Sequence, residues 1–500
     1  MAKRYKIHPG IGIARLGNSP EDFFIGPEVP GGPGLELTPA GEGPVTTYKD
    51  AAHRIKRQGV RFRVWAYEVD AVGRETPVSE VTASEATIVW HVHLANSKGA
   101  GRRILETGNR PRNPNTPTAD LVIAPEFEPI SGANQRVNER VVGRFKGVPV
   151  SLGELWTDAL GRLIVLGGSG RSASVPAGRR ILSFANNPDW HDDVADGAVD
   201  AELRFPDGTS VPVDRGAWVL MAPPDFAPGV LGLATLYDIA LDAAVKRAWV
   251  QAPARPSFTY EVLPIIERAT KLRWVNQFAY WNSISRDFAL LGKLGDAAAD
   301  ALRAEVYAQL IDVQDSGVLN NFQYTDLQRA ILDSWANGIF IDDFGAPAPA
   351  GALSGPAALD RAALEQGVGG GFFPGIEAGI LTTNPYLYSE LCRFTREPFI
   401  DNNETLTLRA GSLTERMAVP WQADFLKCNS MWWPAQRPDD VFIRPSDMEP
   451  TANWIDGIST HEDLAANFWR LGFVTAHRQT DGTMMYLEAE RDPGMPRAGV

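Results

Sequence analysis

Up to about residue 250 the apolar residues of this chain tend to recur at every second position, and beyond it at every third or fourth. That switch limits the possible folds more than any other feature of the sequence. Val60-Arg-Phe-Arg-Val-Trp-Ala66 alternates as a half-buried strand does, and Ile88, Trp90, Val92 and Leu94 form a second period-two face. Arg162–Leu166, Arg180–Ala185 and Trp218–Ala222 are further strand candidates. Ala201–Phe205 and Val211–Val213 flank Pro206-Asp207-Gly208, a hairpin turn signal. Later, Leu302, Val306 and Leu310 fall at four-residue spacing in a helix predicted over 297–312, with Asp296 as N-cap, and Thr325–Ala336 reads as a second amphipathic helix. Residues 345–371, rich in Ala, Pro and Gly, read as a long loop. Ser459-Thr-His-Glu462 fits a capping box ahead of Leu464, Phe468 and Leu471, with Gly472 as the stop and Trp469 rotated off the apolar stripe. The expected fold class is α+β: a β-rich domain over 1–250 and a mainly helical domain over 251–500.

With 500 residues the chain exceeds what one simple core serves. A net charge of −13 without a basic tract argues against nucleic acid or an anionic membrane as partner. No apolar run is long enough to span a bilayer, and Met1-Ala-Lys-Arg-Tyr-Lys-Ile leads into His8-Pro-Gly10 without the apolar core of a cleavable signal. A cytoplasmic location is therefore the default, with signal-less export left open. Two cysteines, Cys392 and Cys428, make neither a disulfide scaffold nor a structural zinc site.

Several motifs invite chemistry and have plainer readings. Gly167-Gly-Ser-Gly-Arg-Ser172 follows a strand but lacks both the P-loop lysine and the dinucleotide-fold spacing, so a turn is the better reading. His91 and His93 share a strand face without a recognisable third ligand; a zinc hydrolase built on them is the weakest reading, and no metal is expected. Gly369-Gly-Gly371 ahead of Phe372-Phe-Pro-Gly-Ile-Glu377 suggests close backbone approach, with Glu377 a site candidate. Asn186-Asn-Pro-Asp-Trp-His-Asp-Asp193 carries more donors and acceptors than a turn needs. It lines either a cavity or a solvated bend.

Trp421-Gln-Ala-Asp424-Phe-Leu-Lys-Cys428 is the densest signal. On a helix, Asp424 and Cys428 stand about 5–6 Å apart between Cβ atoms. A carboxylate opposes thiolate formation, so the pair suits a nucleophilic cysteine badly. It suits a sulfur locked in a covalent bond beside a carboxylate that moves protons. The plain alternatives are a small buried thiol for Cys428 and a core aromatic for Trp469.

At these residues the chain resembles the amino-acid oxidases that carry cysteine tryptophylquinone (CTQ), the L-lysine 6-oxidase and glycine oxidase family. The resemblance also takes in Ile11–Ser19 with Phe23–Pro27, Lys49–Gln58 with Arg61–Arg63, Trp90–Asn96, Leu166–Gly170, Phe184–Asn187 with Asp192-Asp193, and Phe373–Glu377. Trp432-Trp-Pro434 with Arg437-Pro438 and Trp469–Phe473 complete it, so the matches run in order along nearly the whole chain.

The resemblance implies a thioether from Cys428 to an oxidised Trp469, with Trp432, four residues after Cys428, as the competing partner. It implies Asp424 as the base, and His191 and Cys392 beside the substrate channel. The expected reaction is oxidative deamination of an amino acid's amine, which condenses with the quinone as a Schiff base. Dioxygen reoxidises the cofactor, releasing hydrogen peroxide and ammonia. A separate flavoprotein is expected to oxygenate the tryptophan, and a homo-oligomer is implied. A quinone-less relative acting as a binding or scaffold protein, with Cys428 a free thiol, is the alternative.

Overall fold

The computed structural model describes residues 2–38, 41–106, 108–137, 141–315, 324–347, 353–369, 376–427, 435–450, 452–495 and 497. Ala2–His8 (β1), Ile11–Arg15 (β2), Arg57–Val69 (β3), Glu75–Val81 (β4), Thr87–Ala95 (β5), Val141–Phe145 (β6), Val148–Thr157 (β7), Leu163–Gly167 (β8), Ala195–Arg204 (β9) and Ala217–Ala222 (β10) belong to one large sheet. Its central path runs β6-β7-β8-β3-β2-β10-β9-β5, antiparallel except where β10 lies parallel to β2. The long β3 pairs with β8 through Gly59–Phe62 and with β1 through Arg63–Val69.

Both faces of the central strands are covered. In β10, Val219 and Met221 enter a cluster with Phe62, Trp90, Val165 and Val199. Trp218 and Leu220, registered against Ile11 and Ile13, enter another on the opposite face, beneath Leu236 and Ala240. This double burial explains why β10 reads as an unbroken apolar run instead of alternating.

Seven helices carry the argument from here: Leu236–Lys246 (α1), Leu263–Lys271 (α2), Ala297–Asp315 (α3), Asp326–Ala336 (α4), Gly355–Glu365 (α5), Trp421–Lys427 (α6) and His461–Asn467 (α7). Asp296 accepts from the Ala298 and Ala299 amides at the start of α3, as expected for a cap. Thr325 and Gln328 form a reciprocal capping box on α4. A strand pair, Phe473–Arg478 (β11) and Met484–Ala489 (β12), follows α7. Strands thus dominate the first half and helices concentrate in the second. The largest apolar cluster joins Leu16, Ile55 and Val194 to Phe258, Trp335, Trp421 and Phe468, drawing on both halves. Each such large side chain, once fully buried, stabilises by about 1.5–3 kcal/mol.

Three local expectations need correction. Arg180–Ala185 is not a strand, because the Asn187 side chain captures the Leu182 and Ser183 amides that a ladder would need. The 345–371 stretch contains α5, where alanines supply helix propensity and Pro356 sits in the first turn. The cap of α7 is Thr460, not Ser459: its side chain accepts from the Asp463 amide, while Glu462 accepts from the Ile181 amide.

Candidate functional site

The segment leading into Asp424 is held by groups from the β-rich half. The buried Asp192 carboxylate accepts from the Trp421 amide at 3.0 Å, a negative charge at the positive end of α6. The same carboxylate pairs with the Lys98 ammonium at 2.8 Å and accepts from Asn96 Nδ2 at 2.9 Å. At the far end, the Arg437 guanidinium donates to the Phe425 carbonyl at 2.6 Å and to Asp439 at 2.7 Å. Opposite charges thus close both ends of a seven-residue helix too short to persist alone.

Between these clamps, Asp424 is 2% exposed. Trp421 meets Phe425 edge-on at 4.9 Å and Phe468 at 5.2 Å, tying α6 to the single turn Phe468–Arg470 that ends α7. Trp469 occupies that turn, half-buried, its indole N–H donating to the Ala466 carbonyl at 3.2 Å. The elements bearing Asp424 and Trp469 are therefore in direct contact. Cys428 and Trp432 lie outside the described residues.

The glycine-rich loop is part of this packing. The Gly170 carbonyl accepts from Gln422 Nε2 at 3.0 Å, and Ser172 donates to Gln422 Oε1 at 2.6 Å. A side chain at Gly170, whose φ is +75°, would meet Phe468 at 2.4 Å. A side chain at Gly168 would meet the Asp193 carboxylate at 2.7 Å. The loop is a support for α6 and the Trp469 turn.

The Asn/Asp-rich segment spends its groups in the same way. Asn187 Nδ2 donates to the Val419 carbonyl at 2.9 Å, and the Val419 amide donates to the Ala185 carbonyl. Asp193 is buried, which pushes its carboxyl up to about 7, and Asp192 adds to the shift. His191 packs on Phe145 at 5.1 Å, and neither ring nitrogen has a partner among the described residues. Burial takes its pKa down to about 4, so the ring is neutral near pH 7.

The other candidates fall elsewhere. Cys392 lies in the cluster with Ile11 and Trp218, apart from that of Trp421 and Phe468; burial, then Asp360, holds its thiol protonated. Glu377 is fully buried against Arg15 at 2.7 Å and accepts from the Val368 amide. His93 lies edge-on to Phe127. Among the described residues no group of three or more His, Cys, Asp or Glu could hold a metal, and no helix is long and apolar enough to cross a membrane.

Sequence reasoning assigned no role to Lys98, Arg437 or Lys49. Lys49 Nζ is buried and donates to the Leu471 carbonyl at 2.8 Å, two residues beyond Trp469. Burial draws its pKa down to about 7. Its only signal was the charged Lys49–Gln58 stretch, in which nothing marks a buried ammonium.

Comparison with known proteins places this architecture. The model described as "L-Lysine epsilon oxidase N-terminal" matches residues 8–221, and that described as "L-lysine epsilon oxidase C-terminal domain" matches 309–450. The second match includes Asp424 and Cys428, while Trp469 lies beyond it. The L-lysine 6-oxidase of Marinomonas mediterranea is 24% identical, over 97% of this chain and 89% of its own. Crystal structures of the L-Lys epsilon-oxidase from the same organism, one of them the Schiff base intermediate with L-Lys, superpose with a TM-score of 0.78 at 24% identity. They cover 98% of this chain and 95% of theirs. With both domains present in order and together matching more than two thirds of its length, this chain belongs to the L-lysine epsilon oxidase family.

Proposed function

We propose that this protein is a CTQ-dependent oxidase that deaminates the amine of an amino acid, with Cys428 and Trp469 forming the cofactor and Asp424 acting as the base. The observation that carries the reading is the clamped helix α6, which carries the buried Asp424 and packs through Trp421 on Phe468 in the turn bearing the half-buried Trp469. The donor set suits the group: an indole in a packed turn, and a buried carboxylate four positions before Cys428 in the sequence. The family relationship and the relatives' activity support it.

Once formed, the quinone supplies an electrophilic carbonyl for the amine and an electron sink that dioxygen empties, giving hydrogen peroxide and ammonia. The chain's own residues do the rest. Asp424 receives the proton from the amine-bearing carbon, in a site from which the aromatic contacts exclude water. Asp192 and Arg437 fix the helix so that the carboxylate does not drift. Asp193, which faces Gly168 and whose carboxyl burial pushes up to about 7, is protonated for part of the time near pH 7. His191 and Cys392 are proposed to flank the substrate channel. On this proposal residues 1–250 are the scaffold and 251–500 carry the cofactor. A flavoprotein matures the tryptophan in trans, and the enzyme works as a homo-oligomer.

The test is to express the chain with a flavoprotein partner and assay free amino acids for peroxide and ammonia. Amine-dependent release of both by wild type, lost in Asp424→Ala, is expected. Wild-type turnover by Asp424→Ala removes that residue from the mechanism. A chain co-expressed with the flavoprotein that gains no oxygen and shows no turnover leaves the binding-protein alternative.

A further inference from the structure

A cavity of about 960 Å³ lies between the start of the sheet and α2, and its wall includes Phe473 of β11, four residues beyond Trp469. Tyr48 stacks on Phe473 with centroids 5.2 Å apart, and Phe24 meets Tyr48 edge-on at 5.6 Å, giving the cavity an aromatic side. Asp225 lines the same space. Its carboxylate accepts from the Ala227 amide at 3.0 Å, and among the described residues no cation pairs with it.

Of the cations lining the cavity, Lys56 pairs with Glu36 and Arg361 with Glu365, Lys271 makes no ion pair among the described residues, and none pairs with Asp225. Arg15 donates to Glu377, to the Gln366 carbonyl and to the Pro223 carbonyl, and Arg268 pairs with Asp238 at 2.6 Å. Burial pushes the Asp225 carboxyl up to about 6, with Arg15 opposing and Glu377 adding to the shift. A carboxylate that is enclosed and lacks a counter-ion gains most from a ligand that brings one. Aromatic faces beside it favour the same charge, since an ammonium is drawn to a ring face. An anion would meet Asp225 directly, and an uncharged ligand would leave it uncompensated.

We propose that this cavity binds the protonated amine of a small aminoalkyl molecule, with Asp225 as counter-ion and the Tyr48 and Phe473 rings along its stem. This deepens the oxidase reading, on which its biological meaning rests, by naming the charged end of the ligand that the protein grips outside the quinone site. The binding itself does not require turnover.

The experiment uses the full-length chain carrying Trp469→Phe, which forms no quinone, so that its result is independent of whether the protein oxidises anything. Calorimetric titration compares 1,5-diaminopentane with 1,5-pentanediol, which has the same stem and no charge, on this chain and on the same chain carrying Asp225→Asn. The asparagine keeps the acceptor for the Ala227 amide, and a thermal midpoint checks that the fold is intact. Saturable binding of the diamine, at least tenfold stronger than of the diol and weakened at least tenfold by Asp225→Asn, is the expected result. Equal affinity for diamine and diol overturns the proposal without recourse to any Asp225 variant. So does a diamine affinity that Asp225→Asn leaves unchanged. Diamine binding with those ratios, alongside a wild-type chain that releases no peroxide from any amino acid after co-expression with its flavoprotein, would sink the catalytic reading and leave the amine site standing.

Discussion

Asp192→Asn tests the claim that the β-rich half positions the catalytic helix. The Asp192 carboxylate serves four donors: Lys98 Nζ at 2.8 Å, Asn96 Nδ2 at 2.9 Å, and the Trp421 and Val194 amides at 3.0 and 3.3 Å. Asparagine keeps Oδ1 for Asn96 and Val194. It turns an amide NH₂ toward Lys98 and Trp421, so donors face donors. Lys98 is buried, with Asp192 as its ion-pair partner, and breaking such a pair from one side costs about 3–5 kcal/mol. With an unfolding entropy of about 2.1 cal/mol/K per residue, that is a drop in thermal midpoint of about 3–5 °C for a chain of this length. Lys98→Met alone also destabilises, because it strands the carboxylate. The double variant should lose less than the two single losses combined, since neither charge is then left behind. Scanning calorimetry of the four proteins gives the comparison, and visible absorbance of matured samples shows whether the cofactor still forms. A midpoint within about 1 °C of wild type for Asp192→Asn, or strict additivity in the double variant, would refute the argument.

Three further outcomes follow from the geometry. Gly170→Ala places a methyl against Phe468 at a φ of +75°, whereas Gly178→Ala, at +84°, meets nothing within 4 Å. Both carry about 1–2 kcal/mol of backbone strain, and the first adds about 1–3 kcal/mol of overpacking, so chemical denaturation should separate them by that second amount. The raised carboxyl of Asp193 means that the folded chain holds a proton there which the unfolded chain has released. Its contribution is therefore complete below about pH 4 and fades as pH rises through about 7. Thermal midpoints over that window should fall less steeply in Asp193→Asn than in wild type, and an unchanged slope would refute it. Lys49→Met removes the donor to the Leu471 carbonyl and is expected to cost about 1–3 kcal/mol with reduced quinone absorbance. Unaltered stability and absorbance would show that the ammonium does not support the Trp469 turn.

What the sequence revealed follows the range of the interactions involved. The alternation in β3 and β5, the apolar run of β10 and the Asp296 cap of α3 are local patterns, and they appear where expected. Arg180–Ala185 misled because one side chain, Asn187, outcompeted a ladder, and α5 was hidden by reading alanine-rich sequence as loop. At the site, Asp424 and Trp469 could be named because their neighbours resemble a family. Its supports could not be, because Lys98 and Asp192 lie 94 positions apart and Asp192 and Trp421 lie 229 apart. No periodicity marks such pairs, and only the folded sheet brings them together. The density of polar groups at 186–193 was a real signal, and its meaning was the holding of the 417–421 strand of chain against the sheet.

The central claim is tested most directly on the mature polypeptide. Intact mass of protein produced with its flavoprotein should exceed the sequence mass by about 28 Da, two oxygens gained and four hydrogens lost. Proteolysis should then yield one cross-linked species joining the peptide of Cys428 to that of Trp469. An unshifted mass with a free thiol at 428 would contradict the account, and a link from 428 to 432 would replace Trp469 as the oxidised side chain.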